Sequence, residues 1–173
     1  MKEYLIVDGY NMIGAWPELQ RLKDVSLEEA RDRLIGMLAD YQGYSGMKVT
    51  VVFDAHYVPG RGGQYRQHRV EVLYTREKET ADEVIERLVR NLKGLRRHVY
   101  VATSDMTEQH VTFGLGALRL PAGELLTKIR LARQELARRI EEERNRPGAN
   151  RLDGRLAEDI REKLERWRRG GQP

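Results

Sequence analysis

Two short apolar runs, each ending on an aspartate, constrain this chain more than any other feature. Tyr4-Leu5-Ile6-Val7 leads into Asp8-Gly9-Tyr10-Asn11, and Lys48-Val49-Thr50-Val51-Val52-Phe53 leads into Asp54. Both are of strand length, and the second is rich in β-branched residues. Between them Ser26 and Glu29 have the spacing of a capping box. Leu27, Ala30, Leu34, Met37, Leu38 and Tyr41 then recur at helical spacing until Gly43 and Gly46. Strand, helix, strand is the βαβ unit of a parallel sheet, and its crossover brings both aspartates to one edge. Ligands of open α/β sheets bind outside that edge. Asp8 is there either as a turn former, bonded to nearby amides, or as a group for chemistry. Gly9 is expected to supply the permissive backbone of a sharp turn. Asn11–Val25, with Pro17 and few periodic apolar positions, reads as a loop.

From Ala55 to Val70 there is no acidic residue, and Arg61, Arg66, Arg69, His56 and His68 are interleaved with Tyr57 and Tyr65. Gly60, Gly62 and Gly63 argue against a regular element. Such a segment is either an ordinary surface loop or one that contacts phosphates through Arg and stacks bases on Tyr. The candidate RNA-binding residues are therefore Arg61, Tyr65, Arg66, His68 and Arg69. Val70–Tyr74 alternates as a further strand. Thr80-Ala81-Asp82-Glu83 opens a helix with Val84, Ile85, Leu88, Val89 and Leu92 on its apolar face. The Thr80–Glu83 capping box accounts for Glu83 and leaves Asp82 without a capping task. His98–Ala102 is the next strand and ends in Thr103-Ser104-Asp105, where Asp105 and Glu108 also have the spacing of a helix cap. Gly114-x-Gly116-x-x-Arg119 lacks a third glycine and a strand directly before it, so it is not a dinucleotide fingerprint.

Pro121 begins a long amphipathic helix with Leu125, Ile129, Ala132, Leu136 and Ile140 on one stripe, ending near Arg146. After Pro147-Gly148 a second helix carries Leu152, Leu156, Ile160, Leu164 and Trp167. The stripes read as packing surfaces. Residues 1–146 are expected to form one α/β domain, with 147–173 a C-terminal helix packing on it and a basic, disordered tail. Residues 128–173 carry 14 Lys and Arg against 9 Asp and Glu, so the chain's formal net charge of +4 lies in this part. Either a polyanionic partner or plain solvation accounts for that excess.

The 173 residues include no cysteine, which excludes disulfides, zinc–thiolate sites and thiol nucleophiles. No segment approaches the roughly 18 apolar residues of a membrane span, so a cytoplasmic monomer without membrane contact is expected. The four histidines show no metal-ligand spacing. Asp8, Asp54, Asp82 and Asp105, by contrast, come from three strand ends and one helix start that a parallel sheet brings to one edge. Clustered carboxylates repel unless a cation lies among them, and oxygen-only ligands suit Mg²⁺ or Mn²⁺. Such a metal beside a basic loop is an arrangement for phosphodiester hydrolysis. A dehalogenase-type phosphatase would need a second acid two residues after Asp8, where Tyr10 stands.

Leu5-Ile6-Val7-Asp8-Gly9-Tyr10-Asn11, Val52-Phe53-Asp54-Ala55, Thr80-Ala81-Asp82-Glu83 and Thr103-Ser104-Asp105, in this order, resemble the NYN domain, a branch of the PIN-like nucleases. The chain is most similar to the bacterial YacP-type proteins, ribosome-associated endoribonucleases that cut mRNA in the ribosomal A site. The resemblance implies a PIN-like, Rossmann-like parallel sheet flanked by helices with a helical C-terminal extension, a divalent metal and RNA cleavage. Asp8 and Asp82 match the family's essential aspartates, and Asn11 and Asp105 match further site positions. Asp54 matches as a metal ligand or as a brace for the loop that follows. A non-catalytic RNA- or ribosome-binding protein is the competing expectation.

Overall fold

The computed structural model describes residues 1–55, 63–94, 96–105, 110, 112–147 and 149–168; for 63–67, 149–157 and 167 only the backbone is considered. Six strands form one sheet: β1 (Lys2–Asp8), β2 (Lys48–Phe53), β3 (Gly63–Gln67), β4 (Val70–Tyr74), β5 (Arg97–Ala102) and β6 (Leu118–Leu120). Their spatial order is β3-β4-β2-β1-β5-β6. All neighbours are parallel except β3, which pairs antiparallel with β4. The chain thus builds outward from β1 through β2 to β4, then crosses to the other side of β1 for β5 and β6. The point of reversal lies between the carboxyl ends of β1 and β5, where doubly wound sheets open a crevice.

The helices with fully described backbone are α1 (Gly9–Ala15), α2 (Pro17–Val25), α3 (Leu27–Ser45), α4 (Ala81–Leu92), α5 (Ala122–Arg144) and α6 (Ala149–Arg168). Alternation along the strands sorts the core onto two faces, as period-2 side-chain placement requires. Leu5, Val7, Val49, Val51 and Phe53 pack with residues of α1, α2, α3 and the first turns of α5. Ile6, Val52, Val99 and Val101 face Val84, Ile85 and Val89 of α4. By contacts the chain divides into two units, Met1–Arg133 and Gln134–Pro173. Leu125, Ile129 and Ala132 are buried, whereas Ile140, Ile160 and Leu164 are exposed. Among the described residues no helix is long and apolar enough to cross a membrane.

Ser26 caps α3 as its spacing predicts, its hydroxyl accepting from the Glu29 N–H at 3.2 Å, and Gly46 ends that helix in the left-handed conformation. Asn11–Val25 is not a loop. Pro17 sits at the start of α2, where its missing N–H costs no hydrogen bond, so it begins a helix instead of breaking one. Trp16, between α1 and α2, is 2% exposed and donates its indole N–H to the Ala122 carbonyl at 2.8 Å. Burial of Met12, Ile13, Trp16 and Leu19 outweighs the weak periodicity that made this stretch look irregular.

The glycine-bearing basic segment also differs from expectation, because residues 63–67 form β3. Ladder pairing with β4, from Gly63 opposite Tyr74 to Gln67 opposite Val70, supplies what local propensity lacks. His56, Tyr57, Arg61, Glu108 and the tail beyond Arg168 lie outside the described residues.

Candidate active site

Asp8 is the last residue of β1 and the N-cap of α1, so the strand passes straight into a helix. Gly9 permits this for a reason other than the one expected. It has no positive φ. A β-carbon built on it would come within 2.3 Å of the Phe53 ring. Phe53 in turn lies between Tyr10, with ring centroids 5.1 Å apart, and Tyr74, at 5.6 Å. These three rings form the floor beneath the ends of β1, β2 and β4.

The parallel register brings the acidic positions to one edge. Asp8 is level with Val52, two residues before Asp54, and Val7 is level with Ala102, three residues before Asp105. Phe53 is level with Tyr74, after which the chain enters α4 with Asp82 in its first turn. Asp8 and Asp54 are half-buried, whereas Asp82 and Asp105 are exposed. The Thr80 hydroxyl accepts from the Glu83 N–H at 3.3 Å, so the capping box leaves the Asp82 side chain out of the cap.

The described segments at this edge are tied by hydrogen bonds. The Asn11 side-chain oxygen accepts from the Ser104 N–H at 2.7 Å, which joins the start of α1 to the segment after β5. Thr103, fully buried, accepts at Oγ1 from the Asp105 N–H at 3.1 Å. Asp54 is held on both sides by one residue. The Thr75 N–H donates to the Phe53 carbonyl at 3.0 Å, and the Thr75 hydroxyl accepts from the Ala55 N–H at 2.8 Å.

Sequence reasoning missed Thr75, and it missed Arg31 on α3. Arg31 is 6% exposed and donates to the Tyr10 hydroxyl at 3.2 Å. Burial pushes the Tyr10 phenol above its ordinary pKa of 10, against the opposing pull of the Arg31 hydrogen bond and charge. An arginine at an apolar-periodic break in a helix is the one signal that could have marked it.

Among the described residues no three of His, Cys, Asp and Glu gather closely enough to form a ready metal cage. The expected four-carboxylate cluster is therefore an edge and not a closed shell. Mg²⁺ fits such an edge, since it usually retains several waters and is bound through one or two carboxylates plus substrate phosphate. The basic set is dispersed. Tyr65 lies midway along β3 opposite Val72 and Arg66 one residue nearer the turn, opposite Glu71, while His68 and Arg69 form the β3–β4 turn, at the far end of β4 from the aspartates.

The sequence profile of the YacP-like NYN domain matches residues 5–169. The chain is 48% identical to the protein YacP of Bacillus subtilis (strain 168) over 168 residues, covering 97% of this chain and 98% of that one. It is also similar to the crystal structure of Rae1 (YacP) from Bacillus subtilis, with a TM-score of 0.75 and 48% identity over 96% of this chain and 95% of that chain. The W164L mutant of the same protein gives a TM-score of 0.74 and 50% identity over 82% and 83% of the two chains.

Proposed function

The chain belongs to the YacP-like NYN domain family, and from that premise we propose that it is a metal-dependent endoribonuclease of the cytoplasm, using Mg²⁺ or Mn²⁺ to cut mRNA in the ribosomal A site during translation. One observation carries the reading. Asp8 and Asp105 flank the crevice where strand order reverses, Asn11 ties its two sides together, and Asp54 and Asp82 stand on the same edge.

The residues have distinct tasks in this reading. Asp8, Asp82 and Asp105 are the candidate metal ligands, and Asp54 either joins them or braces the chain that follows it. When bound, the metal supplies a water of lowered pKa and neutralises charge on the scissile phosphate. Asn11 and Thr75 fix backbone segments that carry Asp105 and Asp54, so the carboxylates need little reorganisation when substrate arrives. Tyr10, Phe53 and Tyr74 exclude water from below.

The alternative is a non-catalytic RNA- or ribosome-binding protein. Two measurements separate the readings. Asp8→Asn and Asp82→Asn remove charge but little volume, so each should abolish Mg²⁺-dependent cleavage and leave the thermal midpoint near that of wild type. Cleavage at wild-type rates by either variant rules out the assignment. The ribosomal part is tested by comparing one mRNA free and held in a stalled translation complex, at equal Mg²⁺ and salt. Equal rates would leave a general single-strand endoribonuclease.

A further inference from the structure

Opposite the aspartates, the amino-terminal edge of the parallel sheet is basic. The register places Arg69, Lys48, Lys2 and Arg97 at the starts of β4, β2, β1 and β5, which are neighbours in that order. Strand spacing sets these positions over about 15 Å across the strands, as two level pairs, Arg69 with Lys48 and Lys2 with Arg97, the second pair two residues further out along the strands. Arg96 precedes Arg97, and its carbonyl accepts from the Lys2 N–H at 3.2 Å. All five side chains are exposed, as are those of His68 and His98 beside them. Two acids stand among them. Glu71 is half-buried and lies 3.8 Å from the Lys48 ammonium, and Glu3 follows Lys2.

The backbone at this edge is unusual. Among the described residues the only non-glycine positions with positive φ are His68 at 51°, Arg69 at 68° and Arg96 at 75°. His68 and Arg69 are the central pair of a two-residue hairpin turn, a place usually taken by Asn-Gly because both residues need positive φ. Gln42 locks that turn, donating to the Arg69 carbonyl at 3.1 Å while accepting from the Val49 N–H at 2.9 Å. Complementing a helix dipole calls for a cation in the last turn, as Arg90 provides on α4. It does not call for left-handed backbone at three basic positions. Strain retained against propensity marks a surface with a task.

We propose that this amino-terminal edge is a second RNA-contacting surface, which grips the phosphate backbone of a folded RNA without base selectivity, while the opposite edge is left to the strand to be cut. The proposal rests on the ribonuclease reading for the identity of the polyanion. Charge complementarity carries it further. Residues 1–127 hold 17 Lys and Arg against 18 Asp and Glu, and an edge of aspartates repels RNA, so any attraction from this part of the chain comes from a local concentration of cations. Three of the five cations are arginines, whose planar fork matches phosphate oxygens. The two edges are separated by the length of β1, about 20 Å for its seven residues. A short strand in the active site therefore does not reach the basic row.

The test uses the full chain and an RNA hairpin in chelator, with binding followed by fluorescence anisotropy over a range of salt concentrations. The variant Lys2→Gln/Lys48→Gln/Arg97→Gln should bind at least about tenfold more weakly and lower the log–log salt slope by about 2. Arg96→Gly removes a cation and relieves a left-handed residue, so it should weaken binding with no fall in thermal midpoint, a combination that misfolding cannot produce. A short RNA oligonucleotide should be cut equally by wild type and the triple variant. Unchanged affinity and slope would overturn the proposal, as would equal losses on the hairpin and the short oligonucleotide. Vesicles of phosphatidylglycerol bound in place of the hairpin would assign the edge to a membrane instead. If wild type cuts no RNA, either free or held in a stalled translation complex, yet the triple variant still loses the hairpin, the basic edge stands and the nuclease reading alone falls.

Discussion

The Asn11 side chain accepts a hydrogen bond from the Ser104 backbone N–H at 2.7 Å, bridging the crevice at which the strand order of the sheet reverses. It joins the first aspartate-bearing turn to the last. Asn11→Ala should lower stability by about 1 kcal/mol, the usual net worth of one hydrogen bond. Cleavage should fall much further than that loss implies, because Asp105 lies next to the released Ser104. Chemical denaturation together with single-turnover cleavage would show it. A variant that cuts at wild-type rates would make Asn11 dispensable to the site.

Gly9→Ala places a methyl group against the Phe53 ring, which Tyr10 and Tyr74 hold from either side. The ring cannot yield easily, so a loss of about 1–3 kcal/mol is expected, as for other overpacked cores. Phe53→Leu should cost stability alone but recover part of the loss in the double variant. A double-mutant cycle by urea unfolding gives the coupling. Strict additivity would mean that the glycine serves the backbone and not the ring.

Thr75→Val keeps the shape of a residue that is 1% exposed and deletes the oxygen that accepts from the Ala55 N–H. The donor left behind is buried, and the expected cost is about 1–3 kcal/mol. Because the same residue steadies the chain on both sides of Asp54, the Mg²⁺ concentration for half-maximal cleavage should rise several-fold. A stability loss with an unchanged Mg²⁺ dependence would place Asp54 outside the metal site.

Tyr10 provides a pH test. Burial raises its pKa above 10, with the Arg31 hydrogen bond and charge opposing the shift only in part. The folded state therefore holds the phenolic proton more tightly than the unfolded chain does. This contribution to stability is fully present below about pH 10 and is lost as pH rises through the folded value. Tyr10→Phe should be less stable at neutral pH, since Arg31 loses a partner. The gap to wild type should narrow as pH rises above about 10. Tyr41, also raised mainly by burial, is the control, since Tyr41→Phe leaves Arg31 untouched. A gap that stays constant with pH would contradict the tighter proton.

The sequence by itself determined the four strands β1, β2, β4 and β5 and the helices α3, α4, α5 and α6, but not the two outer strands β3 and β6 or the helices α1 and α2. Strand-length apolar runs ending on Asp8 and Asp54, and the capping boxes at Ser26 and Thr80, are local signals that name an element and its boundary without reference to any other. They also fixed which edge the aspartates share, because parallel crossover connections have one hand and strand ends carry their direction with them. Other features depended on partners distant in the chain. Trp16 is committed to the Ala122 carbonyl, 106 residues away, and Gly9 is required by Phe53, neither of which is visible in a local window. Thr75 looks like any residue after a strand until Phe53 and Ala55 meet it across the sheet. The basic segment had one composition but two destinations. Antiparallel pairing with β4 carried His68 and Arg69 to the edge opposite the aspartates, where they stand with Lys2, Lys48, Arg96 and Arg97. Composition records which charges a segment contains, and strand direction decides which end of the molecule receives them.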